Sequence, residues 1–256
     1  MQPELIADLG SLLADNRARG RVSELPLTQI LSLTEAFEIQ SIAIETYSSD
    51  LDGFALAGTS ESSQVSLALA QPIFAPIASN AHFGDGHRLS LAQGVLGAQC
   101  EFAFIIARPY PAHHEPITRA TAAECILGCQ SAIGILGRRS HHGGLNHFAA
   151  VADFGLHVAT ICGTLDQNAN LNELDAVEVS ARLDGNVVAS ATGSSIMGHP
   201  LEAVVWLAQE LSRHGNQLST GDIVTSGSCT PIVQVLPGQH MIADFGYLGQ
   251  VSCRFE

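Results

Sequence analysis

Residues 221–255 read GDIVTSGSCTPIVQVLPGQHMIADFGYLGQVSCRF. Three short runs rich in β-branched and aromatic residues, 223–225, 232–235 and 250–255, are separated by Gly, Pro, Ser and Asp, which predicts three strands joined by turns. Pro237-Gly238 fits the centre of a type II turn, because Pro presets its own φ and Gly accepts the positive φ that follows. Between the first two runs, residues 226–230 form a loop of small residues. The backbone N–H groups and hydroxyls of Ser226, Gly227 and Thr230 are candidates to face a ligand carboxylate.

Residues 200–214 predict a helix with Pro at its first turn, an apolar stripe of Leu201, Val204, Val205, Leu207, Ala208 and Leu211, and Gly215 after its end. Trp206 reads as a core anchor of that helix, given the area an indole buries. Upstream, Val177, Val179 and Ala181 alternate with Glu178, Ser180 and Arg182. Asp184-Gly185 then supplies a tight turn, so residues 176–192 predict a hairpin.

The order GDI-x-x-SGS-x-T, V-x-PG and ADFG-x-LG-x-V-x-x-RF, together with the segment from Gly198 to Ala208, resembles the 2-oxopent-4-enoate (2-hydroxypentadienoate) hydratase and 4-oxalocrotonate decarboxylase group of the fumarylacetoacetate hydrolase superfamily. Residues 33–40, Gly58-Thr59-Ser60 and Glu101-Phe102-Ala103-Phe104 carry the resemblance more faintly into the N-terminal half. It implies an α+β fold: a small helical N-terminal lobe, placed at residues 1–60, and a mixed β-roll or sandwich over 61–256. It also implies a lyase acting on a small 2-oxo or 2-hydroxydienoic acid, and a homo-oligomer.

The same resemblance identifies where this chain departs from its group. Members carry a lysine where Ala55 stands, Glu-x-Glu at the positions of Gln99 and Glu101, and a third Glu at Gly134, the three carboxylates binding Mg²⁺ or Mn²⁺. Alternate strand residues point the same way, so carboxylates two apart converge on one hard cation. Here Gln99 is neutral and only Glu101 keeps its charge, with no Glu between Glu124 and Glu173. That inventory argues against a family-type metal site. No cofactor is expected, and a degenerate Mg²⁺ or Mn²⁺ site would rest on Glu101.

Arg139 keeps the charged end of the third motif and Asp153 matches an aspartate beside the group's pocket, where Phe154 and Leu156 replace polar residues. The candidate catalytic residues are therefore Glu101 or Asp153 as acid or base, Arg139 as anion partner, and His142 within the histidine-rich stretch 138–147. Candidate substrate contacts are Gln99, Ser60 at a polar corner, and Ser226, Gly227 and Thr230. A replacement site pairing His142 or His147 with Asp153, or a His-rich Zn²⁺ site, matches on ligand type but on no recognised spacing. Three functional readings stay open: a metal-independent hydratase or decarboxylase, a catalytically silent family member acting as a structural or regulatory subunit, for instance beside an active paralogue, and a metal-free isomerase, cyclase or decarboxylase relined for a bulkier substrate.

Composition narrows the partners. The formal charge of −14 argues against nucleic acid and anionic membrane surfaces. All 11 basic residues are Arg, which excludes Schiff-base chemistry through a lysine and a phosphate-loop lysine. The partner expected is a small carboxylic acid. Six cysteines in apolar contexts, without a CxxC pair, read as core residues of a cytoplasmic protein; Cys125 and Cys129 are expected on one helix.

At the N-terminus, Leu5, Ile6, Leu9, Leu12 and Leu13 have helical spacing, and a second helix is expected from Thr34, as its N-cap, to about Tyr47. The two prolines of residues 72–77 predict an edge strand or loop, Asp85-Gly86 predicts a hairpin-type turn, and residues 97–106 predict a strand.

Overall fold

A computed structural model of the chain describes residues 1–141 and 146–256. In order the elements are α1 (Pro3–Ala18), α2 (Leu33–Tyr47), β1 (Leu51–Ala57), α3 (Glu61–Leu67), β2 (Ile73–Ala78), β3 (His82–Gly84), β4 (His87–Leu89), β5 (Val95–Ile106), α4 (Arg119–Glu124), β6 (Ile126–Gly137), α5 (His147–Ala152), β7 (His157–Cys162), β8 (Glu178–Leu183), β9 (Asn186–Thr192), α6 (Leu201–Arg213), β10 (Ile223–Thr225), β11 (His240–Asp244) and β12 (Gln250–Phe255). The strands form two sheets, β2-β1-β10-β5-β6-β7-β3 and β4-β12-β11-β8-β9. This is the α+β, helix-plus-mixed-sheet architecture that the sequence implies.

The two longest strands, β5 and β6, pair antiparallel at the centre of the larger sheet and are buried on both faces. One face carries Phe102, Phe104, Ile133 and Ile135 into the main core, with Val204 and Leu207 of α6 and Met241 and Phe255 of the smaller sheet. The amphipathic stripe of α6 explains its place: it covers that face and turns its polar side outward. Ala103 and Ala132 point the other way, onto a floor shared with Ala55, Ile77, Cys162 and Ile223. A third core joins α1, α2 and α5 through Leu9, Leu13, Ile39 and Ala150. Gly10 makes the close approach of α1 to α2 possible, since a Cβ there would meet Ile42 Cγ2 at 2.6 Å.

Several local expectations change. The N-cap of α2 is Ser32, not Thr34: Ser32 Oγ accepts from the Glu35 N–H at 3.2 Å. Cys125 and Cys129 do not share a helix, because α4 ends at Cys125 and Cys129 lies within β6. Residues 232–235 form no strand. Only Val233 bridges Ala98, because Pro231 has no N–H to donate and the bend at Cys229 and Thr230 carries the chain off the edge of β5. Asp85-Gly86 is a turn but not a hairpin: β3 pairs with β7 and β4 with β12, so the turn passes the chain between sheets. Trp206 is half-buried against Phe74 and does not lie deep in the core. The proline-bearing strand β2 is an edge strand, and Pro237-Gly238 is a turn with Gly238 at φ +91°.

Candidate active site

The strand registers decide which residues meet. Gln99 pairs with Gly134, Glu101 with Ala132, Gly134 with Thr160, and Thr225 with Ala103 and Ala55. Side chains two apart on a strand share a face. Gln99, Glu101, Thr225 and Thr160 therefore lie on the inner face, above the floor of small residues. Ala55, Gly134 and Glu101 occupy this one face.

Glu101 is 2% exposed and Gln99 is fully buried. The Gln99 amide donates to Glu101 Oε1 at 2.5 Å. Glu101 Oε2, Gln99 Oε1, Thr225 Oγ1 and Thr230 Oγ1 are buried without a hydrogen-bond partner of ordinary geometry. Burial pushes the Glu101 carboxyl up to about 7, against the opposing pull of the Thr225 hydroxyl, the Gln99 amide and the Gly227 N–H. Glu101, with Gln99 and Thr225 beside it among apolar walls, forms a site that exchanges a proton near neutrality and has hydrogen-bonding capacity to offer.

The space for a third carboxylate is filled. A Cβ at Gly134 would stand 1.8 Å from Glu101 Oε1 and 3.4 Å from Gln99 Cγ. The Gln99–Glu101 pair thus occupies the volume that a side chain at 134 would need. A hard divalent cation draws six or more oxygen ligands and relies on anionic ones; this site offers one carboxylate. The residues present do not fit such an ion. Among the described residues, no group of three or more His, Cys, Asp or Glu side chains is placed to hold a metal.

Arg139 and Asp153 lie elsewhere, beyond the end of β6 and at the end of α5, and are brought to each other. Arg139 Nε donates to Asp153 Oδ1 at 2.5 Å, the Arg139 backbone N–H to Oδ2 at 2.7 Å, and Arg139 Nη1 to the His157 carbonyl at 3.0 Å. Both oxygens of Asp153 are engaged in this ion pair. His142 lies outside the described residues. His147 begins α5, with both ring nitrogens unpartnered and its pKa lowered by burial.

The substrate-binding candidates divide. Ser60 caps α3, its Oγ accepting from the Ser63 N–H. Ser226 Oγ accepts from the Phe102 N–H and donates to the Gly227 carbonyl, both at 3.0 Å, so it pins the loop to β5. Gly227 packs on the Thr59-Ser60 corner, where a Cβ would meet Thr59 Oγ1 at 2.3 Å. Thr230 turns its hydroxyl to the Cys100 thiol, on the other face of β5. Thr225 and Thr160 escape sequence reasoning; the alternation of β10 and β7 places them, but only once the register with β5 is fixed. His157 donates or accepts at Thr160 Oγ1 over 3.0 Å, and burial holds its pKa well below the ordinary imidazole value.

The profile described as fumarylacetoacetate (FAA) hydrolase C-terminal matches residues 55–256. The chain belongs to the fumarylacetoacetate hydrolase family. It is similar to the 2-keto-4-pentenoate hydratase of Burkholderia vietnamiensis, 27% identical across 98% of this chain and 97% of that one. It is also similar to the 2-oxo-hept-4-ene-1,7-dioate hydratase of Escherichia coli, 26% identical across 80% and 79%. Among solved structures, 4-oxalocrotonate decarboxylase from Pseudomonas putida G7, complexed with magnesium and adipate, superposes with a TM-score of 0.88 at 21% identity, covering 100% of this chain and 99% of that one. Fumarylpyruvate hydrolase from Pseudomonas aeruginosa, in complex with Mn²⁺ and pyruvate, gives 0.61 at 15% identity over 79% of this chain and 88% of that one. Among the described residues no helix is long and apolar enough to cross a membrane.

Proposed function

We propose that the protein is a hydratase- or decarboxylase-like lyase for a small 2-oxo or 2-hydroxydienoic acid that works without a metal, with Glu101 as its proton-transfer group. The observation that carries this reading is the state of Glu101: buried, pushed up to about 7, and held at one oxygen by Gln99. A carboxyl whose pKa lies near the working pH can both accept and return a proton. It takes the enol proton of a 2-hydroxydienoate and delivers it to a diene carbon, leaving the 2-oxo acid. In hydration it takes a proton from the attacking water and returns it to the adjacent carbon. The Thr225 hydroxyl beside Glu101 and the loop at residues 226–230 supply donors to the substrate's oxygens. Arg139 and Asp153 act as a positioning pair that fixes the end of β6 against α5. Assembly with further copies of the chain belongs to the same reading.

A second reading, a catalytically silent member acting as a structural or regulatory subunit, is favoured by one observation: Glu101 itself fills the space beside Gly134, with Gln99 and Glu101 almost sealed from solvent. One experiment separates them. Chelator-treated protein is mixed with 2-hydroxypenta-2,4-dienoate and the loss of dienol absorbance followed across pH. The expected result is turnover without added metal, an inflection near pH 7, and loss of activity in Glu101→Gln. Turnover only with Mn²⁺ would refute metal independence, while no turnover and no saturable binding of a 2-oxo acid would transfer the assignment to the silent member.

A further inference from the structure

A cavity of about 160 Å³ lies between the C-terminal end of α1, the end of β6 and the start of β7. Arg17, Arg21, Arg138 and Arg139 line it, with Tyr47 and Asn80, and no Asp or Glu does. That is four of the 11 arginines of a chain whose formal charge is −14. The lining therefore runs against the composition of the whole molecule.

Two of the four guanidiniums have acidic partners, Arg139 in Asp153 and Arg21 in Asp15. Arg17 and Arg138 form no ion pair with a described residue, although Arg17 lies in the field of Asp153 and meets the Tyr47 hydroxyl. Arg17 donates to two neutral carbonyls, His157 at 2.7 Å and Val158 at 3.4 Å, and stacks 4.5 Å from the Phe154 ring centre and 5.1 Å from that of Tyr47. Burial, and then the charge of Arg139, lower its pKa to about 10, a value at which it remains a cation at neutral pH. Arg138 is half-buried, and its backbone N–H donates to the Gly94 carbonyl at 3.0 Å while its guanidinium makes no hydrogen bond or ion pair with any described residue. A cation partly withdrawn from water without a full counter-charge carries a desolvation cost, and an anion seated against it offsets part of that cost. The guanidinium fork matches a carboxylate through two parallel N–H bonds. The cavity volume is close to the ~150 Å³ that accommodates a benzene-sized ligand.

We infer that this cavity is an anion site for a small dicarboxylate, one carboxylate on Arg17 and the other on Arg138, separate from the centre around Glu101. The inference does not rest on the proposed reaction. Its test is calorimetric titration of the chelator-treated full chain with succinate at low salt. Expected are one site per chain, affinity falling as NaCl rises, at least ten-fold weaker binding in Arg138→Gln with an unchanged melting temperature, and unchanged binding in Glu101→Gln. Arg17→Gln should abolish binding; if that variant fails to fold, Arg138→Gln still decides. Acetate should bind at least ten-fold more weakly than succinate. The inference is overturned by no saturable heat with succinate, by wild-type affinity in Arg138→Gln, by loss of binding in Glu101→Gln, or by phosphate binding as tightly as succinate.

Discussion

The two faces of β5 are equally dry and chemically opposite. Cys100, Phe102 and Phe104 on one side are fully buried among aromatic and aliphatic partners, with the Phe245 ring edge-on to Phe102 at 5.0 Å. Gln99 and Glu101 on the other side are as buried, yet each keeps a polar atom without a partner. Burial on the first face stabilises the fold. On the second the same burial costs stability, because it removes water from a carboxyl and replaces only part of its hydrogen bonding. A strand that tolerates this cost on one face while its other face is fully packed separates the parts of the molecule that hold the fold from the part that is chemically poised.

Substitutions on the two faces should therefore differ in sign as well as size. Phe102→Ala should lose about 3–5 kcal/mol, the usual cost of emptying a buried aromatic site, and by the same amount at pH 5 and pH 8. Urea unfolding at both pH values measures it; a loss that varies with pH would show that the two faces are coupled. Glu101→Gln should do the reverse. The folded-state pKa of Glu101 is raised above its unfolded value, so the native state binds the extra proton and the wild type loses stability as pH climbs from about 4.5 through about 7. The variant should match the wild type near pH 4 and exceed it by up to about 3 kcal/mol at pH 8. Equal unfolding midpoints at pH 8 would mean that the carboxylate is better solvated than its surroundings imply.

The same contrast governs what could be read from the chain. The apolar face, α6, the β8–β9 hairpin and the turn at Pro237-Gly238 were legible because hydrophobic period and turn chemistry are local. The missed N-cap was also local: Ser32-x-x-Glu35 is a capping-box pattern, and Glu35 does reach back, though to the Leu31 N–H. By contrast, the polar face depends on register. Gln99, Glu101 and the vacant position at Gly134 could be named from a resemblance, but the filling of that vacancy by the Glu101 side chain is a fact about two strands side by side. Thr160 and Thr225 come from strands far apart in sequence, and the pairing of Arg139 with Asp153 depends on how α5 returns to the end of β6. Arg17, with no acidic neighbour in its helix turn beyond Asp15, reads in the sequence only as a C-terminal helix charge; its seat between Phe154 and the β7 carbonyls is set by packing of α1 on the sheet.

A smaller effect tests whether the Gln99–Glu101 pair holds its place firmly. Gly134→Ala puts a methyl where Glu101 Oε1 now stands, and no backbone atom is among its nearest contacts. The carboxylate must swing aside, which should cost about 1–2 kcal/mol by overpacking. The Gln99 hydrogen bond should break with it, and the Glu101 titration followed by ¹³C NMR should move further from the ordinary carboxyl range. An unchanged titration would show that the pair yields without separating.

The smallest effect is kinetic. All six cysteines are buried, and burial pushes the thiols of Cys100 and Cys162 up to about 12, so in the native protein neither should react with a thiol reagent on mixing. Cys100 lies on the apolar face and Cys162 beside Ala132 on the polar one. A site that admits a substrate must open locally at a free energy below that of global unfolding, whereas a packed core face opens only with the whole fold. Cys162 should therefore be labelled slowly, at a rate insensitive to dilute urea, while Cys100 is labelled only as the protein unfolds. Mass spectrometry of peptides after timed labelling distinguishes the two. If both thiols appear together and track global unfolding, the polar face is as closed as the apolar one, and the silent member becomes the better account of this chain.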